Sequence, residues 1–148
     1  LIRITASKNT ALLRYRGQVE IDQKANEVRA RFATLEKYQI YADKREEAQR
    51  FLAEIDAGGE PDASGYPYLA AETGLSAATM VDLASMWVAM DAAWKGVSAL
   101  IEEITMGAKI RIGEALHQQA ISEIVSETQV ILDVLGDKPP TVPKARQV

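Results

Sequence analysis

Glu114 and His117 stand at the Glu-x-x-His spacing that sets a carboxylate and an imidazole on one face of a helix, as in di-iron bundles. His117 is the single histidine of the chain, so a second copy of the motif would have to come from another subunit. Gln118 and Gln119 beside it read as a polar, solvated stretch with a surface histidine. The chain has no cysteine, which removes disulfides, thiolate zinc sites and cysteine nucleophiles together. The adjacent carboxylates Glu46 and Glu47, and Glu102 and Glu103, point about 100° apart on a helix and do not converge on one substrate. Phosphate-binding loops, dinucleotide fingerprints, nucleophile elbows and zinc-protease motifs are absent. The residue chemistry therefore points away from an enzyme: no catalytic residue, metal ligand or cofactor is expected, and a metal-dependent bundle enzyme using Glu114 and His117 ranks last.

The elements that would position any site are helical. Met80, Leu83, Trp87, Met90, Trp94, Val97, Ile101, Ile104 and Ala108 step alternately by three and four residues, a period of about 3.5 that specifies an amphipathic helix with a coiled-coil-like seam. Trp87 and Trp94 at heptad spacing read as core or helix interface, where an indole buries a large area. Ser76 is the expected N-cap, with Leu75 and Met80 as a hydrophobic staple. Past Ala108 the seam meets Arg111 and resumes shifted at Leu116, Ile121, Ile124, Val125, Thr128, Ile131, Leu132 and Leu135, so a kink at Gly107 to Gly113 is favoured over one rod.

Upstream, Ile21, Ala25, Val28, Phe32 and Leu35 give a second seam, and Tyr41, Ala48, Phe51, Leu52 and Ile55 a third. The expected helices are thus Thr10 to Leu35, Tyr41 to Asp56, Ser76 to about Ala108 and Glu114 to Leu135, with a turn at Glu36 to Ile40. Glu20 with Lys24, and Glu46 with Arg50, are placed for surface pairs four residues apart. Leu1 to Thr5 alternates apolar and polar and reads as a short strand in an N-terminal extension of residues 1–9. A helical domain of residues 10–135 with a loop at 57–75 follows, then a proline-rich extended tail of residues 136–148.

Composition bounds the function. The chain has 148 residues, 47% of them hydrophobic, and a formal net charge of -4 that argues against a dedicated binder of nucleic acid. No apolar run approaches the roughly 20 residues that cross a bilayer, so a soluble, unsecreted protein without membrane contact is expected. Residues 57–105 carry seven acids and one base, Lys95, whereas residues 1–56 carry 11 bases and 9 acids, which suits either antiparallel packing of the two stretches or head-to-tail contact between subunits.

An ordered series of short motifs adds a family likeness. It runs from Arg29-Ala30-Arg31-Phe32 through Tyr41-x-x-Lys44-x-x-Glu47-Ala48 to Tyr66-Pro67-Tyr68-Leu69, Glu72 and Gly74, then through an alanine-rich helix with Trp94 to Ile101-Glu102. In this order the segment Val28 to Ala115 resembles small helical proteins of the tail regions of tailed phages and prophages. Thr34 to Ile40 lacks the glycine-containing loop of that pattern, and Glu103, Ile104 and Thr105 stand where an arginine tends to follow Ile-Glu. The resemblance implies a non-enzymatic virion structural or assembly part, in the virion tail or in the host cytoplasm during assembly. Its partners would be further copies of itself or another tail component. A helical adaptor for a host protein is the alternative.

The reading is therefore an all-α protein, an elongated antiparallel helical hairpin or bundle with coiled-coil-like seams. Its expected core or oligomer interface is Ile21, Val28, Phe32, Leu35, Phe51, Met80, Leu83, Trp87, Met90, Trp94, Val97, Ile101 and Ile104.

Overall fold

A computed structural model describes residues 2–33 and 35–138, with side chains described from Asn9 onward and not at Leu35. The fold is all-α, with helices packed on one another in bundle-like fashion: α1 (Ile2–Phe32), α2 (Leu35–Asp56), a 3-10 turn at Ala63–Gly65, α3 (Pro67–Glu72), α4 (Met80–Glu114) and α5 (Gln118–Gly136). Ile2 to Thr5, read above as a strand, form the first turns of α1. Of the extended tail expected at residues 136–148, residues 139–148 lie outside the described residues, while Gly136 closes α5 and is helical instead of extended. Two compact units divide the chain: unit 1 comprises the described parts of Leu1–Phe32 and Val97–Pro139, and unit 2 includes Ala33–Gly96.

Unit 1 holds α1, the second half of α4, and α5. Arg14 reaches Ala115, Asp22 reaches Lys109 and Arg29 reaches Glu102, so α1 and α4 run antiparallel. Arg111 pairs with Glu127 across antiparallel α4 and α5. By contrast, α1 and α5 run parallel, with Gly17 against Ile121 and Val125 and Arg31 against Asp133 and Asp137. Gly17 permits this approach, because a Cβ there would stand 3.0 Å from Ile121 Cγ2 and 3.3 Å from Val125 Cγ2. The core forms two apolar clusters, one around Ile21, Ala108, Ile112, Ile121 and Val125 and the other around Ala25, Val28, Ile101 and Leu132.

The α4 seam does not stop at Ala108: Ile112 and Ala115 continue it at steps of four and three and are buried. Packing on that side outweighs the roughly 1 kcal/mol that each glycine costs a helix, so α4 runs unbroken through Gly107 and Gly113 and the break comes at residues 115–117. Of the positions expected to carry the seam into α5, Ile121, Ile124, Val125, Thr128 and Leu132 are buried, but Leu116 is 82% exposed and Ile131 is also exposed.

Thr105 is buried between the two clusters, and its hydroxyl has no hydrogen-bond partner. Thr128, also buried, donates its hydroxyl to Ile124 O at 2.6 Å. An unsatisfied buried hydroxyl costs about 1–3 kcal/mol, and valine has the same branched outline and a similar helix propensity. Thr105→Val should therefore raise stability by about 1–2 kcal/mol, seen as a higher urea midpoint at unchanged slope.

Unit 2 holds α2, α3 and the first half of α4 around Ala48, Phe51, Tyr66, Leu69, Leu83, Ala84 and Trp87. The turn expected at Glu36 to Ile40 lies earlier: α1 ends at Phe32 and α2 already begins at Leu35. Tyr41, assigned to the apolar face of α2, is exposed. At the other end Gly58, at φ +80°, lets Gly59 N–H reach Glu54 O and Gly58 N–H reach Ile55 O, both at 2.9 Å, which closes α2 in a Schellman turn.

The cap of α4 also differs from expectation. Thr79 Oγ1 accepts from Asp82 N–H at 3.1 Å and donates to the Asp82 carboxylate at 2.8 Å, whereas Leu75 is exposed and makes no staple. Thr79→Ala should cost about 1 kcal/mol, measured as a lower thermal midpoint with added amide exchange confined to the first turn of α4.

The α3 segment is clasped from α2. Pro67 occupies the first helical position, and buried Glu47 accepts the Leu69 N–H at 2.7 Å, satisfying a donor that a helix start leaves over. Tyr66 meets Phe51 edge-on at 5.1 Å, and its hydroxyl donates to Glu54. That hydrogen bond, then burial, pushes the Tyr66 phenol above its ordinary value. Arg50 lies 5.0 Å over the Tyr66 ring and donates to Gly65 O, which is the use the fold makes of it in place of a surface pair with Glu46. Lys44 pairs with Glu72 and stands over Trp87, and Arg45 pairs with Asp91.

Candidate functional site

The residues with the sharpest expected chemistry are separated by the helix break. Glu114 is the last residue of α4, whereas His117 has extended backbone and its Nδ1 accepts the Ala120 N–H at 3.2 Å as the N-cap of α5. The Glu-x-x-His spacing therefore does not place both side chains on one helix face, and the imidazole nitrogen is used as a cap acceptor. Among the described residues no group of three or more Asp, Glu or His side chains is arranged to hold a metal ion.

Around this elbow, three α1 side chains four residues apart grip the end of α4. Arg14 donates through Nε and Nη2 to Ala115 O at 2.8 and 2.6 Å, Gln18 donates to Lys109 O at 3.1 Å, and Asp22 receives Lys109 Nζ at 2.8 Å. Arg14, Gln18 and Asp22 share one face at that spacing, so a single polar stripe supplies donors to two carbonyls at and near the α4 end and an acceptor to the Lys109 ammonium. The stripe was readable as a four-residue period beside the Ile21 seam, but nothing in the sequence said which element it would meet.

A groove of 330 Å³ lies between α1 and α5, with Gly17, Ile121 and Val125 along its floor and Arg16, Glu20 and Ser122 among its walls. It brings together hydroxyl, carboxylate and guanidinium groups without an imidazole or a thiol, and it can hold polar side chains by hydrogen bonding.

The expected seam residues lie at different depths in the units. Ile21, Val28 and Ile101 in unit 1 and Phe51, Leu83 and Trp87 in unit 2 are buried, and Phe32, Met80, Met90, Trp94, Val97 and Ile104 are half-buried. Leu35 does not extend the α1 seam, because it opens α2.

The outward apolar surface lies elsewhere. Val130 is 62% and Val134 51% exposed, with Ile131 exposed beside them. At 3.6 residues per turn Val130 and Val134 fall on the side of α5 opposite Ile121, Val125 and Leu132, in line with the exposed Glu123 and Glu127. Leu100, Met106 and Ile110 of α4 are exposed as well. Reading the sequence for its seam passed over Val130 and Val134; the signal was a pair four apart, out of phase with the buried positions.

The charge on α5 is one-sided: Glu123, Glu127 and Asp133 stand in a segment with no lysine or arginine. Asp133 is held inward by Lys24 at 2.7 Å and Arg31 at 2.6 Å, so Lys24 is spent on α5 and on Glu27 where a pair with Glu20 was expected. Hydrogen bonds from Lys24 and then Arg31 hold the Asp133 carboxyl below its ordinary range. A carboxyl depressed on folding adds stability above its unfolded value, about 3.9, and loses it as pH falls through the folded value. The gap in thermal midpoint between wild type and Asp133→Asn should therefore be open at neutral pH and close below about pH 4.

No family model, curated protein or solved structure matches the chain. No described helix is long and apolar enough to cross a membrane.

Proposed function

We propose that this chain is a non-enzymatic structural or assembly protein that acts through helix-mediated protein contacts, as a component of the tail region of a tailed phage or prophage. One observation carries the contact reading: α5 is apolar on two opposite sides, with Leu132 and Val125 buried inward while Val130 and Val134 face out. The outward side mixes these exposed valines with Glu123 and Glu127, the apolar-and-charged composition of a helix face that a partner can cover.

The tail assignment rests on the ordered motifs, several of which meet within a unit. Arg29 of the first motif pairs with Glu102 of the last at 2.7 Å, Lys44 of the second pairs with Glu72 of the third, and Glu47 accepts from Leu69. These contacts fall in two groups, Arg29 with Glu102 in unit 1 and Lys44, Glu47, Leu69 and Glu72 in unit 2, each set by helix packing within its unit. Further copies or another tail component are the partners, encountered in the virion tail or in the host cytoplasm during assembly.

Mass spectrometry of purified particles and of tail-assembly intermediates tests the assignment. The chain should be found in one or the other; absence from both contradicts it.

A further inference from the structure

We propose that the outward α5 face of unit 1 is covered by a second copy of this chain, which presents Leu12, Tyr15 and Arg16 of its α1 to Glu123, Glu127, Val130 and Val134. The inference rests on the helix-contact reading above and names its partner.

Leu12 is 45% and Tyr15 65% exposed, and with Arg16 they lie three and four residues apart, on one side of α1. The neighbouring residues are already engaged, Leu13 in the apolar cluster and Arg14 on Ala115 O, so Leu12 and Tyr15 are what α1 leaves over at this level, with Arg16 exposed at the rim of the α1–α5 groove beside Glu20. One chain cannot satisfy both faces by itself. Its own α1 occupies the opposite side of α5, where Gly17 meets Ile121 and Val125.

Charge selects the match. Arg16 has no ion-pair partner among the described residues, while α5 carries three acids and no base. Asp133 is held by Lys24 and Arg31, which leaves Glu123 and Glu127 beside the exposed valines, Glu127 shared with Arg111. Each patch thus pairs large apolar side chains with charge of the opposite sign to the other. Reciprocal docking would close a symmetric pair, and one-way docking would propagate to a ring or filament.

The test is light scattering over a concentration series of the full chain, with Arg16→Glu, with Glu123→Arg, and with an equimolar mixture of the two. Both side chains are exposed, so circular dichroism should show both variants folded. The wild type should gain mass with concentration, and each variant alone should need at least a ten-fold higher concentration to associate, about 1.4 kcal/mol of lost contact. The mixture should recover the wild-type behaviour, since the reversed charges then face each other. Val134→Lys should weaken association in the same way without reversing a charge. A wild type that stays monomeric throughout, variants that associate as the wild type does, or a mixture that does not recover would each overturn the proposal. If the wild type is monomeric but the chain is still found in tails, the self-contact falls and the helix-contact reading stands. If it is monomeric and absent from tails, both fall.

Discussion

Phe51→Ala should destabilise unit 2 by about 3–5 kcal/mol, the cost of removing a buried ring whose site collapses only in part. Phe51 lies within the cluster of Ala48, Leu69, Leu83 and Trp87, and its ring supports Tyr66 edge-on at 85°. The loss should reach further than a cavity, because Tyr66 begins the segment that α2 clasps through Glu47, Arg50 and Glu54. The expected signature is a lower urea midpoint with early exchange of the Leu69 amide, which Glu47 protects. Tyr41→Ala, on the exposed side of the same helix, should stay within about 0.5 kcal/mol of wild type. A Leu69 amide as protected in Phe51→Ala as in the wild type would contradict this account of α3.

In unit 1 the corresponding substitution is Leu132→Ala, expected to cost about 2–5 kcal/mol. Leu132 is fully buried against Ala25, Val28 and Ile101, where three helices meet. The effect would be a large share of the roughly 5–15 kcal/mol that holds an ordinary domain together. Val130→Ala, two residues away on the outward side, removes surface that is mostly in water already and should be near neutral for folding. Measured side by side in urea, the two substitutions should differ several-fold in midpoint shift. Equal shifts would mean that the two sides of α5 are not distinguished as described.

Much of the fold was legible because apolar spacing is a direct consequence of helix geometry. The run from Met80 to Ala108 specified α4, and Ile21, Ala25 and Val28 specified the buried side of α1. Helix ends were less legible, since they are decided by groups far away in sequence. Gly107 and Gly113 looked like a break, yet Ala108 and Ile112 are packed well enough to carry the helix through. The α4–α5 elbow instead falls where Arg14 satisfies Ala115 O and His117 caps α5, neither of which spacing alone reveals. The boundary between α1 and α2 at residues 33–34 has no glycine or proline to mark it. Ser76 is the expected cap of α4, yet Thr79, three residues later, is the one that bonds Asp82.

The candidate surface was the least legible part, for a related reason. A seam is found by looking for what will be buried, and the same search discards apolar residues that fall off its phase. Val130 and Val134 fall off the phase in that way, while the other expected seam residues, Leu35 with its undescribed side chain aside, are buried or half-buried. Glu114 and His117 failed as a pair because a motif on one helix face requires the helix to continue through it.

On the proposed function, the outward side of α5 serves contact and not folding. Under the proposed tail assignment, the most direct test of this is the yield of assembled tails when Val130→Lys and Val134→Lys are introduced together, with the urea midpoint of the purified variant measured alongside. The expected result is an unchanged midpoint with assembly lost or strongly reduced, since two lysines are well tolerated on a solvated helix face but not beneath a partner. A normal yield of tails from a fully folded variant would contradict the claim.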